Sequence, residues 1–383
     1  MNFIAGTRLL HWLAPRLKGL ASKRATWLLS PYPAGKSFGF TIVHDADSAY
    51  SQRLAPIMES LDALGFKITV TVFPFWATWA ADPRRMWTEW RTIDPFAAPV
   101  AVPLEDPDER RFYLDLRDRG HEIAVHTPSE TSSLRRDVAR AFAFFEDVFG
   151  APARMYVEHS PGNNLDAQCR FGSDTQSEYF NTDLLNGSGC WIWVCDNETD
   201  FPRRRGRQLD VLSDSSGPFS PRANEKYGIQ RGFIRSRVLP SDGDGFLASL
   251  TEGAVDALVR EGGTAIVYAH LAIGWLDPQT RRLRTDIEQC LRKIAERNPW
   301  SVPASDMLDR FAAFRNVQLN VSDNAIEVSN FGDLALTEVA IRSPEGFSLL
   351  DADGRLLTRL SRNLLLLGDV APRSSVRLYL VRH

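Results

Sequence analysis

Apolar and polar positions along this chain follow two alternating rhythms. "SFGFTIVHDAD", Ser37 to Asp47, is a run of apolar and β-branched residues closed by polar ones, which predicts a buried strand. "SQRLAPIMESLDALGF" then repeats apolar residues at helical spacing, and "KITVTVFPF" predicts a second strand. Strand, helix and strand at this spacing form a βα unit, which demands a parallel sheet. The unit recurs. "RRFYLDLRDRG" reads as a helix stopped at Gly120, "HEIAVH" as a strand, "SSLRRDVARAFAFFEDVFG" as a long helix ended by Gly150, and "ARMYVEHS" as the next strand. Further on come the strand "GCWIWVCDN", the helix "GFLASLTEGAVDALVREGG", the strand "TAIVYAH" and the helix "PQTRRLRTDIEQCLRKIAERN".

After Phe314 the rhythm changes. "VQLNVSDNAIEVSNFG", "TEVAIRSPEGF" and "SSVRLYLVRH" alternate apolar and polar residues between turn residues, with no usable helical period. The pattern therefore predicts an α/β domain over residues 37–314 and a small all-β sandwich over 315–383. Residues 1–36 are basic and apolar, and the first acidic residue of the chain is Asp45. Arg8, Pro15, Arg16 and Lys18 interrupt the apolar stretches of this segment, as a signal peptide would not allow. It reads as a helix packed on the catalytic domain, with a helix lying on an anionic membrane face as the alternative.

Composition narrows the class. At 383 residues, 44% hydrophobic and 24% charged, the chain has the make-up of a globular protein with more than one domain. A net charge of −3 excludes a strongly basic nucleic-acid binder. Cys169, Cys190, Cys195 and Cys290 show neither a CxxC pair nor metal-knuckle spacing, which fits reduced thiols and a cytoplasmic protein. No apolar run is long enough for a transmembrane helix.

Candidate chemistry lies where the strands end, at Asp45, Asp47, His126, His159, Asp196 and His270. In α/β barrels that rim carries the site, because loops converge there on a rigid wall. Asp45 and Asp47 stand two apart, so on an extended strand both carboxylates face one side. A cation on one, with the other left as a base, resolves their repulsion. Asp47, His126 and Glu130 would supply three protein ligands beside an open position. One imidazole with two carboxylates suits zinc, the expected ion, and also harder divalent metals. His270 is placed to protonate a leaving amine.

These segments resemble the NodB-homology polysaccharide deacetylases, a carbohydrate esterase family, through five short motifs in order between about Ser37 and Met307. The resemblance implies a distorted (β/α) barrel of NodB type. It implies Asp45 of "HDAD" as general base and Asp47 as metal ligand. "GHEIAVHTPSE" matches the second motif with Glu130 at the position of its second histidine, and "EHSPGNN" matches the third with His159 where an arginine braces the base. "WIWVCDN" echoes the fourth through Trp193 and Asp196, the aspartate tuning the acid histidine, and "IVYAH" matches the fifth at His270. The implied activity is metal-dependent deacetylation of N-acetylated amino sugars in a cell-surface polysaccharide or its precursor.

Substrate contacts are expected from Trp76, Asn163, Trp193 and Trp275, whose aromatic members can stack on sugar rings or else fill the core. "PRRRGR" opens a stretch, Arg203 to Arg237, with nine basic and three acidic residues, and Arg203 is expected to meet an anionic or lipid-linked glycan. Two other readings stay open. One is hydrolysis of a small non-sugar amide or imide on the same barrel; the other is a degenerate barrel that only binds glycan. The expected place is the cytoplasm, with the N-terminal segment on the inner membrane face as a further option.

Overall fold

The computed structural model describes residues 27–78, 82–94, 96–159, 162, 164–195, 209–213, 216–236, 238 and 240–382. The chain divides into two compact units. One holds Phe40–Arg297 with Ser301–Ser305; the other holds Met1–Gly39, Asn298–Trp300 and Asp306–His383.

The larger unit is built on a six-stranded sheet. Its strands are β1 (Gly39–His44), β2 (Thr69–Val72), β3 (Glu122–His126), β4 (Met155–Val157), β5 (Trp191–Trp193) and β6 (Thr264–Ala269). The spatial order is β5-β4-β3-β2-β1-β6. Pairing is parallel in register from Val43 opposite Thr69, through Val72 opposite Val125 and His126 opposite Val157, to Val157 opposite Trp193. All six strands are buried along their whole length, as expected for a parallel sheet covered on both faces.

The covering helices bury one apolar stripe each. Helix Ser51–Ala63 turns Leu54, Ile57, Met58 and Leu61 inward, and helix Arg135–Phe149 turns Val138, Ala141, Phe145 and Phe149. The second ends at Gly150, whose φ of 68° forms the left-handed cap. The helix expected over 245–263 is two helices, Gly243–Ser249 and Glu252–Glu261. Thr251 separates them, because its hydroxyl accepts from the Ala254 amide and caps the second.

The two edges of the sheet, β5 and β6, are joined by a short irregular segment. Gly232 bridges Ile192 and Ser236 bridges Val267, both in parallel sense. Within this seam the Ser236 amide donates to Ile266 O at 2.7 Å and Ser236 Oγ accepts from the Ile266 amide at 2.9 Å. The wall is thereby closed into the distorted (β/α) barrel that the strand pattern and the motifs led us to expect.

The smaller unit is an antiparallel sandwich. One sheet runs Leu28–Ser30, Leu336–Arg342, Leu364–Val370, Arg359–Ser361; the other runs Phe347–Leu350, Ser374–Arg382, Ala325–Asn330, Val317–Val321. Ile326, Val328, Val339, Ile341, Leu349, Leu365 and Leu378 fill the space between them. Of residues 1–36, those from Trp27 onward are described. Leu28–Ser30 pairs antiparallel with Leu336–Arg342, and Trp27 and Leu29 pack on the sandwich core. Residues 1–26, where a helix was expected, lie outside the described residues. No helix among the described residues is long and apolar enough to cross a membrane.

Candidate active site

Five side chains converge at the ends of the barrel strands. Asp45 and Asp47 follow β1, His126 closes β3, His159 follows β4 and His270 follows β6. They form two overlapping groups whose ligand atoms lie within 4.8 Å of one another: Asp47, His126 and His159, and Asp45, Asp47 and His270.

The first group has the chemistry of a cation site. His126 Nδ1 donates to Val157 O at 2.8 Å, since a carbonyl only accepts, and this leaves Nε2 facing Asp45 and Asp47. His159 Nδ1 donates to Asn164 Oδ1 at 3.0 Å, and the Asn164 amide is oriented in turn by donating to Thr131 O at 3.1 Å. Its Nε2 stands 3.1 Å from Asp47 Oδ1. His126 Nε2 and Asp47 Oδ1 lie 3.9 Å apart, both buried and neither in a well-formed hydrogen bond among the described residues, their nearest polar atoms being Asp45 Oδ1 at 3.0 Å and His159 Nε2 at 3.1 Å within the same cluster. Buried polar atoms are rarely left unpartnered. A divalent ion held at about 2.0–2.2 Å by each ligand spans a gap of that width.

The second group is closed by hydrogen bonds. Asp45 Oδ2 accepts from the Tyr268 hydroxyl and lies 3.0 Å from His270 Nε2, while Oδ1 accepts from the Asp47 amide at 3.0 Å. His270 Nδ1 is held by Ser241, 2.8 Å from Oγ and 3.1 Å from O. Burial opposes ionisation of Asp45, but the charges of His126 and His270 pull its carboxyl well below the usual range. Burial likewise disfavours a charged His270, and Asp45 outweighs it, lifting the ring to about 10. The pair is thus ionised on both sides at neutral pH. A base ready to accept and an acid ready to donate stand together.

The grouping of ligand atoms differs from the expected set at one residue. Glu130 belongs to neither group. Its assignment assumed a helical first turn carrying residues four apart on one face. The segment after His126 is instead bent from Pro128 to Thr131, and helix begins only at Arg135. Thr127 starts the bend with a φ of 45°, a region β-branched residues avoid. Glu130 stays close enough to feel the site: burial, then the Asp47 charge, lift its carboxyl to about 7. His159, assigned to bracing the base, stands in the ligand group instead. Burial opposes its charge, and the Asp47 carboxylate raises the ring to about 9.

The tryptophans divide. Trp76 is half-buried and lines a cavity of about 380 Å³ with Phe75, Arg84, Thr131 and Arg140. Trp275 is fully buried against Phe246, so it offers no face to a sugar. Trp193 is buried too, packed on Tyr268 at 4.6 Å between ring centroids. Asp196, Asn163 and Arg203 lie outside the described residues. His121, read as structural, bonds Asp62 at 3.0 Å and accepts from the Ile68 amide. Sequence reasoning passed over Tyr268, Ser241, Asn164 and His44. His44 is a buried neutral ring, pushed down to about 4 by burial, whose Nδ1 faces Ala269 O and the Leu271 amide.

The placement of His270 depends on a close backbone approach. A Cβ on Gly245 would lie 1.7 Å from Pro240 O, so a side chain there must displace the segment that carries Ser241. Misplacement by about 1 Å costs on the order of 100-fold in rate. Gly245→Ala is accordingly expected to lower kcat at least about tenfold with the ion still bound, read by steady-state kinetics beside metal analysis. Unchanged kcat would separate Ser241 from the acid's placement.

No family model matches the chain, and neither does any curated protein. Among solved structures it is similar to a mutant form of a peptidoglycan deacetylase from Bacillus subtilis, at 10% identity over 73% of this chain and 93% of that one, with a TM-score of 0.35. It is also similar to a family 4 acetyl xylan esterase from Clostridium thermocellum in complex with a cobalt ion, at 13% identity over 71% and 90%, with a TM-score of 0.32. A third is a CE4 family pseudoenzyme from Bacillus anthracis, at 15% identity over 74% and 70%, with a TM-score of 0.32.

Proposed function

We propose that this chain is a metal-dependent amide hydrolase that removes acetyl groups from N-acetylated amino sugars of a cell-surface polysaccharide or its precursor. The observation that carries the reading is the division of labour among five side chains. Asp47, His126 and His159 bring three ligand atoms together, while Asp45 and His270 pair beside them with further anchors on Tyr268 and Ser241.

Asp47, His126 and His159 would hold the ion, for which zinc is the expected species because two imidazoles and one carboxylate fall within its preferred set. When bound, such an ion acidifies water and polarises a carbonyl at neutral pH. The chain supplies the rest. Asp45, ionised and fixed through both its oxygens, takes a proton from the attacking water. His270, charged at Nε2 and held at Nδ1 by Ser241, gives a proton to the departing amine nitrogen. The half-buried Trp76, which lines the cavity beside Phe75, offers a ring on which a sugar would stack.

The test is acetate release from N-acetylated glucosamine oligosaccharides by zinc-loaded protein, with and without chelator. Acetate release that stops on chelation is expected. Fully loaded protein that frees no acetate from any N-acetylated amino sugar, while binding the oligosaccharides, would establish a glycan-binding protein instead.

A further inference from the structure

A carboxylate that must serve as base beside a metal ion faces a competing use, since it is itself a good ligand. Asp45 is in that position. Its Oδ1 lies 3.0 Å from Nε2 of His126, a member of the ligand group, and its neighbour two residues on is Asp47. Its other oxygen is turned away and fastened. The Tyr268 hydroxyl donates to Oδ2 from β6, two residues ahead of His270, and Tyr268 is itself buried.

Tyr268 is held in turn by the barrel seam. Trp193 of β5 packs against its ring, and the Arg235 guanidinium carbon lies 4.3 Å from the Tyr268 ring centroid and 4.6 Å from that of Trp193. A cation over a phenol ring draws electron density from the oxygen and makes its O–H a better donor to a carboxylate. Burial and the Asp45 charge push the phenol well above its usual range, which favours the donating O–H form.

We propose that Tyr268, backed by Arg235, is a positioning residue that keeps the Asp45 carboxylate out of the metal's ligand set and so reserves it for proton transfer. The inference rests on the reading of the site as a metal-dependent hydrolase. It differs from an ordinary packing role in its sign: loss of the hydroxyl should strengthen metal binding while weakening catalysis. With Tyr268→Phe the Oδ2 oxygen keeps only His270, and the less firmly held carboxylate turns to the ion as an additional ligand.

The experiment measures zinc affinity by competition with a chromogenic chelator, together with kcat and KM on an N-acetylated glucosamine oligosaccharide. For Tyr268→Phe the zinc Kd is expected to fall at least about tenfold, kcat to fall about 10- to 100-fold and KM to stay within about twofold, as befits loss of one charge-assisted hydrogen bond. The tightening should disappear in the double variant with Asp45→Asn, which removes the competing ligand. Arg235→Gln, which leaves the hydroxyl in place, should shift affinity and kcat the same way by a smaller factor. Zinc affinity that is unchanged or weaker in Tyr268→Phe, with wild-type protein active, overturns the brace alone. Tighter zinc without hydrolysis by any form keeps the brace and overturns the proposed activity. A wild-type chain that takes no ion overturns both.

Discussion

Replacing His159 with alanine is expected to weaken zinc binding by more than about 100-fold, beyond the 10- to 100-fold typical of groups that only support a ligand. Glu130→Gln, by contrast, should leave affinity within about tenfold, the lower end of that supporting range. The two residues compete for one assignment. Motif position favours Glu130, which stands where a second histidine is usual. Geometry favours His159, whose Nε2 is 3.1 Å from Asp47 Oδ1 and whose other nitrogen is anchored by Asn164. Metal content after dialysis, with zinc affinity by competition, decides between them. A His159→Ala protein that retains its ion, beside a Glu130→Gln protein that loses it, would return the third ligand to Glu130.

The second large effect is expected from Asp45→Asn. Removal of a general base costs about 10²- to 10⁴-fold in rate, and kcat should fall within that span. The ion should remain at one per chain, because the unpartnered ligand atoms belong to Asp47 and His126, and Asp45 is already satisfied by Tyr268, His270 and the Asp47 amide. The substitution also deletes the charge that lifts His270 to about 10, so the imidazolium should lose its proton at a lower pH. Steady-state rates and metal stoichiometry on the same preparation check both halves. An asparagine variant that loses ion and activity together would make Asp45 a ligand.

Much of this arrangement could be read from the chain, and the misses have physical causes. Apolar runs that stop at Asp45, Asp47, His126 and His270 disclose the strand ends, and strand ends disclose the rim. Loops leaving the strands are harder to read. The bend after His126 begins at a Thr127 backbone angle that no apolar pattern announces, so the helical turn assumed through Glu130 is not there. The seam from Gly232 to Ser236 has no period at all, meeting the two flanking strands only through isolated bridges, and no strand was expected there. Tyr268 is hidden because "TAIVYAH" is apolar enough for its hydroxyl to pass as one more aromatic in the wall. Tryptophan is ambiguous for the opposite reason. A ring near a strand end suits a sugar or a core equally well, and packing on Phe246 settles Trp275 as core.

The irregular closure of the wall has a result for the chemistry inside it. In an unbroken ladder, neighbouring strands run about 4.8 Å apart and their side chains alternate strictly between inside and outside. Two bridges spaced by a few residues relax that alternation, so a single guanidinium can rest on aromatic rings from both flanking strands. The least regular stave of this cask is therefore the one that admits a positive charge behind the proton acceptor. A tidier barrel would leave that carboxylate leaning on its phenol alone.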